Sequence, residues 1–270
     1  MRLGVSTGFG ANTAKEWIER VLKFGAKTVV FPLDCTAERE KIDEYCRAAK
    51  ENDITIAEVG IWRNTLAKEA AQRKKMMEYA VNQLRLADEI GARCCVNVAG
   101  TPHGPRWDGG YAGNFSKETR REIVTMVRTL LNEVKPKRTK FTLEPMPWMV
   151  PTGPDDYLRL IEEVDTEGFG VHLDLINMVT SPQRYFFLNE FMDECFEKLG
   201  NRICSCHLKD ILLLPEYTFR LKECACGEGI LDVKRYLAAA TKVDPDLPVI
   251  IEHLANDEEY ERSIAYVRSL

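Results

Sequence analysis

Short runs of β-branched and apolar residues alternate with stretches of helical periodicity along the whole sequence, and no other feature limits the fold as much. The runs cover residues 2–6, 28–32, 55–60, 94–99, 141–145, 170–175, 203–207 and 248–253. Short apolar runs of this kind are how parallel strands covered on both faces read. Between them apolar residues return at helical spacing, as in Met77, Val81, Leu84, Ala87 and Ile90, or Ile123, Val127, Leu130 and Val134. Helix-start signals agree: Ser116 has Glu118 in the first turn, and Asn256 stands three residues before Glu259 in a capping-box arrangement. Eight strand–helix units in 270 residues predict an α/β fold, a single (β/α)8 TIM barrel spanning residues 1–270 as one domain. A doubly wound open sheet would need fewer strands, and no glycine-rich phosphate turn follows the first run.

A hydrophobic share of 45% supports a core of that size. The net charge of −5 gives no electrostatic reason to expect a polyanion partner. No stretch approaches the ~20 apolar residues of a membrane helix, and the first residues pass into a strand without a signal-peptide pattern. The nine cysteines are odd in number and several lie inside strand-like runs, so they read as small buried hydrophobes in a reducing compartment. The expectation is a cytoplasmic protein with a small-molecule partner and no nucleic-acid or membrane partner; a homo-oligomer is left open. Residues 100–113, after the fourth run, form the one long connection. Connections of that length are usually functional or disordered. Its His103 and Trp107 argue against disorder, and it reads as a lid over the barrel mouth.

Four consecutive runs end in a group that can hold charge: Glu144, Asp174, His207 and Glu252. Polar residues at the C-terminal ends of barrel strands are where active sites are built. Glu144 and Asp174 stand 30 residues apart and Asp174 and His207 33, one βα unit each, with 45 more to Glu252. Side chains alternate along a strand, so Glu144 shares a face with Thr142, Asp174 with His172, His207 with Ser205 and Glu252 with Ile250. Three carboxylates and one imidazole delivered to one end point to a divalent metal; Mn²⁺, Mg²⁺ and Co²⁺ suit such ligands, and Zn²⁺ is admitted. Any one of the four has a structural explanation. Together, unpaired and clustered, they would be costly without an ion.

The motifs resemble those of the xylose isomerase-like barrel superfamily, the sugar phosphate isomerases and epimerases, over essentially the whole chain. The resemblance is carried by Leu-Glu-Pro-Met-Pro-Trp at 143–148, Val-His-Leu-Asp at 171–174, Cys-His-Leu-Lys-Asp at 206–210, Gly-Glu-Gly at 227–229 and Ile-Glu-His-Leu at 251–254. It implies Glu144, Asp174, His207 and Glu252 as ligands of a divalent metal, manganese first. It also implies that Glu144 and Glu252 are the catalytic pair, moving a proton through a metal-bound enediolate of a small sugar or keto-polyol. An isomerase or epimerase is the leading activity. The superfamily also holds lyases, of the dehydratase and C-glycoside-cleaving types, and a DNA-repair endonuclease built on three zinc ions and many histidines; this chain has four histidines in all. Two positions depart from the ketose 3-epimerases. Asn177 stands where they carry a substrate-binding histidine, and Val150 where they carry a glutamate.

Further residues are assigned from position. Lys209 shares its parity with His207, so it either binds a substrate hydroxyl or phosphate, stabilises a developing oxyanion, or is a solvated strand-end lysine. Trp62, Trp107 and Trp148 follow strand ends, where an indole can pack on a sugar face or simply on protein; with His103 and Asn177 they complete the substrate-binding candidates. Asn97 is polar inside an apolar run and should point into the barrel, a hydrogen-bonded core residue being the alternative. His172 reads as a core or supporting histidine, and His253, of the wrong parity, as structural. Arg220 and Glu223 could cover the mouth. A four-cysteine zinc site from Cys204, Cys206, Cys224 and Cys226 is rejected, because the spacing is not Cys-x₂-Cys and the first two should face the helices.

Overall fold

In the computed structural model, which describes residues 1–6, 12–104 and 106–270, the apolar runs become the staves of a closed barrel. Its strands are Arg2–Val5 (β1), Thr28–Val30 (β2), Thr55–Gly60 (β3), Cys94–Val98 (β4), Lys140–Glu144 (β5), Phe169–Asp174 (β6) and Ile203–Leu208 (β7). A hairpin outside the barrel follows, Asp210–Leu213 (β8) and Leu221–Cys224 (β9), before Pro248–Ile251 (β10) closes the ring against β1 and β7. All pairings within the barrel are parallel, and β3 lies diametrically opposite β7. The (β/α)8 expectation is thus met.

Nine α-helices surround it among the described residues: Ala14–Lys23 (α1), Arg39–Glu51 (α2), Ala70–Ile90 (α3), Lys117–Val134 (α4), Pro154–Val164 (α5), Pro182–Phe186 (α6), Leu188–Leu199 (α7), Val233–Val243 (α8) and Asp257–Arg268 (α9). The expected caps are present. The Ser116 hydroxyl accepts from Thr119 N–H at 3.1 Å, and Asn256 Oδ1 accepts from Glu259 N–H at 3.0 Å. The Glu259 carboxylate reaches back one residue further than a strict capping box, to Ala255 N–H. The apolar stripes pack on the outer faces of the strands, burying Trp17, Tyr45, Ile123 and Leu130. No helix among the described residues is long and apolar enough to cross a membrane. All nine cysteines are free.

Two expectations need correction. The second strand stops at Val30 rather than residue 32, because the register slips between Val29 and Val30 and Pro32 has no N–H for the ladder. The connection at 100–113 is also not the one long excursion, since the hairpin β8–β9 separates β7 from α8. A single residue, Lys209, joins β7 to β8, and the sequence reading, which ended its run at residue 207, did not assign the second strand.

Asp210 holds that hairpin in place. Its buried carboxylate accepts from the backbone N–H groups of Ile211, Gly227, Gly229 and Leu231 at 2.8–3.0 Å. This accounts for the Gly-Glu-Gly motif: Gly227 has φ +91, and a Cβ on Gly229 would lie 2.2 Å from Asp210 Oδ1. Asp210→Asn places an NH₂ against backbone donors. It is expected to cost about 2–3 kcal/mol, at the upper end for a lost charge-assisted bond plus an unpaired donor. Urea titration checks this, and a variant within ~0.5 kcal/mol of wild type would show that the cradle is not needed.

Two tyrosines splint the strands that carry the charged residues. Tyr157 of α5 donates from its hydroxyl to Leu143 O at 2.6 Å and accepts from His172 N–H at 3.3 Å, filling the gap where β5 and β6 part. Tyr236 of α8 donates to His207 O at 3.0 Å.

Candidate metal centre

Glu144 and Asp174 are the last residues of β5 and β6, His207 is the last but one of β7, and Glu252 follows β10 directly. All four are buried. His207 Nδ1 lies 2.9 Å from Glu252 Oε2, 3.3 Å from Glu144 Oε1 and 3.9 Å from Asp174 Oδ2. One ligand atom from each residue falls within 4.8 Å of all the others. The parallel strands deliver these side chains to one end because all run in the same direction and each of the four stands at or beside the C-terminal end of its strand. Strand alternation turns them inward.

Lys209 completes the cluster, and the solvated reading of it is overturned. It is 2% exposed, and its ammonium stands 2.7 Å from Glu252 Oε1, 2.8 Å from Asp174 Oδ2 and 3.2 Å from Glu223 Oε1. Its parity with His207 turns its stem inward, and carboxylates from two other strands hold its head. Asn177 is also occupied. Its backbone N–H donates to Asp174 Oδ1 at 3.0 Å and its side-chain amide to Glu144 Oε1 at 3.3 Å. It orients two carboxylates rather than standing free for a substrate.

Charge in the cluster is unbalanced. Burial pushes the Glu144 and Glu252 carboxyls up, but the His207 charge outweighs it for both, with Lys209 adding to the effect on Glu252, and both are held below the usual range. Burial alone would discharge His207 and Lys209. The carboxylates around them reverse that and raise both well above their ordinary values. Asp174 is left over: burial pushes it up to about 7, and Glu252 and Glu144 add to the rise despite the opposing charge of Lys209. Its Oδ2 is buried and accepts no hydrogen bond, so Lys209 meets that oxygen as a charge only. A site short of positive charge, with an orphaned carboxylate oxygen, hard oxygen donors and one imidazole, can hold a divalent ion.

Beneath the four lies a residue that the sequence reading missed. Glu58 of β3 is fully buried; its Oε1 receives the Ser205 hydroxyl and lies 3.1 Å from His172 Nε2, and its Oε2 lies 3.3 Å from His207 Nε2. The burial of this carboxyl is outweighed by the His207 and His172 side chains, which hold it well below the usual range. The signal was a lone carboxylate inside an apolar β run. His172, expected as a core or supporting residue, is in this layer, completely buried.

A family model for the xylose isomerase-like TIM barrel matches residues 18–270. The chain belongs to that family. No curated protein matches it in sequence. Among solved structures, this xylose isomerase-like barrel is similar to 3-keto-D-glucoside 4-epimerase from Escherichia coli, with 17% identity, a TM-score of 0.71 and full coverage of both chains (100% and 100%). It is also similar to D-psicose 3-epimerase from Clostridium cellulolyticum, solved with D-tagatose, with 14% identity and a TM-score of 0.71 over 100% of this chain and 97% of that one. A xylose isomerase-like protein from Mycobacterium smegmatis, solved with magnesium, gives 17% identity and a TM-score of 0.70 over 97% of this chain and 90% of that one. At such identities the likeness is one of fold.

The remaining candidates of this xylose isomerase-like barrel lie outside the four-residue cluster. His253, taken as structural from parity, approaches the cluster instead. Strand β10 ends at Ile251 and His253 takes φ +59, so alternation no longer applies, and its ring reaches Glu223 Oε2 at 2.9 Å and Glu252 Oε2 at 3.6 Å. Glu223 thus belongs to the rim as expected, whereas Arg220 pairs with Glu216 within the hairpin turn. Asn97 is a bonded core residue, exchanging hydrogen bonds with the backbone of Arg63 at 3.0 and 3.2 Å. Residues 100–113, whose Pro105 lies outside the described residues, are pinned to the β5–α5 loop. Trp148 Nε1 donates to Asp108 O at 2.7 Å, and Asn114 donates to Gly109 O and Trp148 O. His103 is exposed and packs on Tyr111, Trp107 is half-buried, and Trp62 lines a separate cleft with Phe31, Tyr79 and Gln83. Among the described residues no hydrogen bond, ion pair or ring contact joins Trp62, His103 or Trp107 to the charged cluster.

Proposed function

We propose that this chain is a divalent-metal-dependent isomerase or epimerase of a small sugar or keto-polyol. The observation that carries the reading is the convergence of two buried glutamates, Glu144 and Glu252, on one imidazole beside the underpaired Asp174. The epimerases of similar fold support the substrate class. Glu144, Asp174, His207 and Glu252 would hold the ion, with manganese, magnesium, cobalt or zinc all within the range of this donor set. When bound, the metal supplies Lewis acidity, polarising a carbonyl and making the adjacent carbon-bound proton easier to remove.

The chain's own residues do the rest. One glutamate takes the proton from the carbon beside the carbonyl, and the other returns a proton at the neighbouring carbon or on the opposite face. Asn177 aims the Glu144 carboxylate through its amide, and Lys209 aims Glu252. Burial of both carboxylates limits the access of competing water to the bases.

The test is incubation with ketoses, inososes and 3-keto-glycosides, with and without Mn²⁺, in D₂O, followed by NMR. The expected result is a Mn²⁺-dependent isomer or epimer carrying deuterium on the carbon next to the carbonyl. Loss of water or of an aglycone after the same exchange would make the enzyme a lyase. Neither exchange nor product in any of the three classes would defeat the proposal.

A further inference from the structure

We infer that Glu58 is a positioning residue that fixes the orientation and tautomer of His207, so that Nδ1 faces the metal. The inference rests on the metal reading above and adds a residue from the far side of the barrel.

Glu58 projects from β3 across the barrel interior to β7, the strand directly opposite. Its rotamer is set by two donors on its Oε1, the Ser205 hydroxyl and His172 Nε2. That leaves Oε2 facing His207 Nε2 at 3.3 Å. An ionised carboxylate only accepts hydrogen bonds, so the nitrogen opposite it keeps its proton. An ion can bind only once the second ring proton has left; the imidazole then carries a single N–H, and its lone pair is left on Nδ1. Nδ1 is the nitrogen turned toward Glu144, Asp174 and Glu252. The His172 ring stands edge-on against His207, with centroids 4.2 Å apart and planes at 81°, and limits rotation of the ligand ring.

Stability alone does not account for Glu58. A buried ionic cluster replaced as a whole by apolar residues is often as stable or more so, so folding by itself does not require one here. A carboxylate on the outer nitrogen of a metal-bound histidine has a clear use, and its loss typically costs 10–100-fold in affinity or activity. Glu58, His172 and His207 could also be read as a second ion site, since their ligand atoms cluster. Those atoms already bond one another at 3.1 and 3.3 Å, with Ser205 as a further donor, which favours the positioning role.

The test measures Mn²⁺ affinity and stoichiometry by calorimetry for wild type, Glu58→Gln, Glu58→Leu and Asp174→Asn. It adds ¹⁵N–¹H spectra of the zinc-loaded wild type labelled at histidine. One ion per wild-type chain is expected, with Glu58→Gln binding about 10–100-fold more weakly. Glu58→Leu, which has no acceptor, should be weaker still, and the spectrum should place the His207 proton on Nε2. The inference alone is overturned if both Glu58 variants bind as tightly as wild type. It is likewise overturned if the proton sits on Nδ1, or if two ions bind and Glu58→Gln loses one. The wild-type spectrum decides the matter even if neither variant folds. A wild type that binds no ion, or that binds it unchanged in Asp174→Asn, defeats the metal reading and this inference with it.

Discussion

Glu252→Gln and Glu144→Gln should each lose at least ~10²–10⁴-fold in turnover, the range that a positioned general acid or base supplies. The substitution keeps the shape of the side chain and one oxygen to serve as a ligand, but glutamine cannot accept a proton. Each variant should therefore hold metal with modest loss and still be nearly inactive, with the damage in kcat rather than KM. Neighbouring charge keeps both carboxyls ionised at neutral pH, so both are available as bases. Their lowered affinity for protons makes them weak bases. An ion that acidifies the carbon-bound proton offsets that weakness. Turnover is compared at confirmed metal occupancy. If Glu252→Gln turns over near the wild-type rate, Glu252 is a ligand only and the two-base mechanism is wrong.

The sequence shows the barrel and the four charged strand ends because each depends on a local pattern. Apolar runs, helical spacing and alternation all act within a few residues, and a parallel barrel brings the ends of its strands to one face whatever the sequence between them. The parts that were not legible depend on partners far away in the chain. Glu58 reads as an odd charge within an apolar run until the closed ring sets it against His207, 149 residues on. Parity placed Lys209 correctly on the inner face, but its burial depends on Asp174 and Glu252, which belong to other elements. His253 was misread because alternation was carried past the end of β10, where the backbone has already turned. The hairpin was missed because β8 and β9 are only four residues each and pair with one another outside the barrel, too short to carry a periodic signal.

Lys209→Met should destabilise the metal-free protein by about 3–5 kcal/mol, the usual cost of removing one partner from a buried ion pair. At about 2–4 °C per kcal/mol for a chain of this size, the melting temperature falls by roughly 6–20 °C. The stem of Met fills much the same space, so packing changes little and the loss is mainly one of charge. Lys209 is the fixed ammonium between Asp174 and Glu252. Without it the cluster retains four buried carboxylates, from Glu58, Glu144, Asp174 and Glu252, facing the imidazoles of His207 and His172. Asp174 relieves part of the strain by staying protonated, since burial already raises it and Lys209 is the charge that most opposes the rise. A divalent ion held by the same carboxylates would replace the missing positive charge. Saturating Mn²⁺ is therefore expected to raise the melting temperature of the variant more than that of the wild type, narrowing the gap between them. Calorimetric melting curves with and without the ion provide the comparison. Equal stability of the two metal-free proteins would show that the ammonium is not clamped as described. A large deficit that Mn²⁺ leaves unchanged would show that lysine and metal do not answer to the same carboxylates.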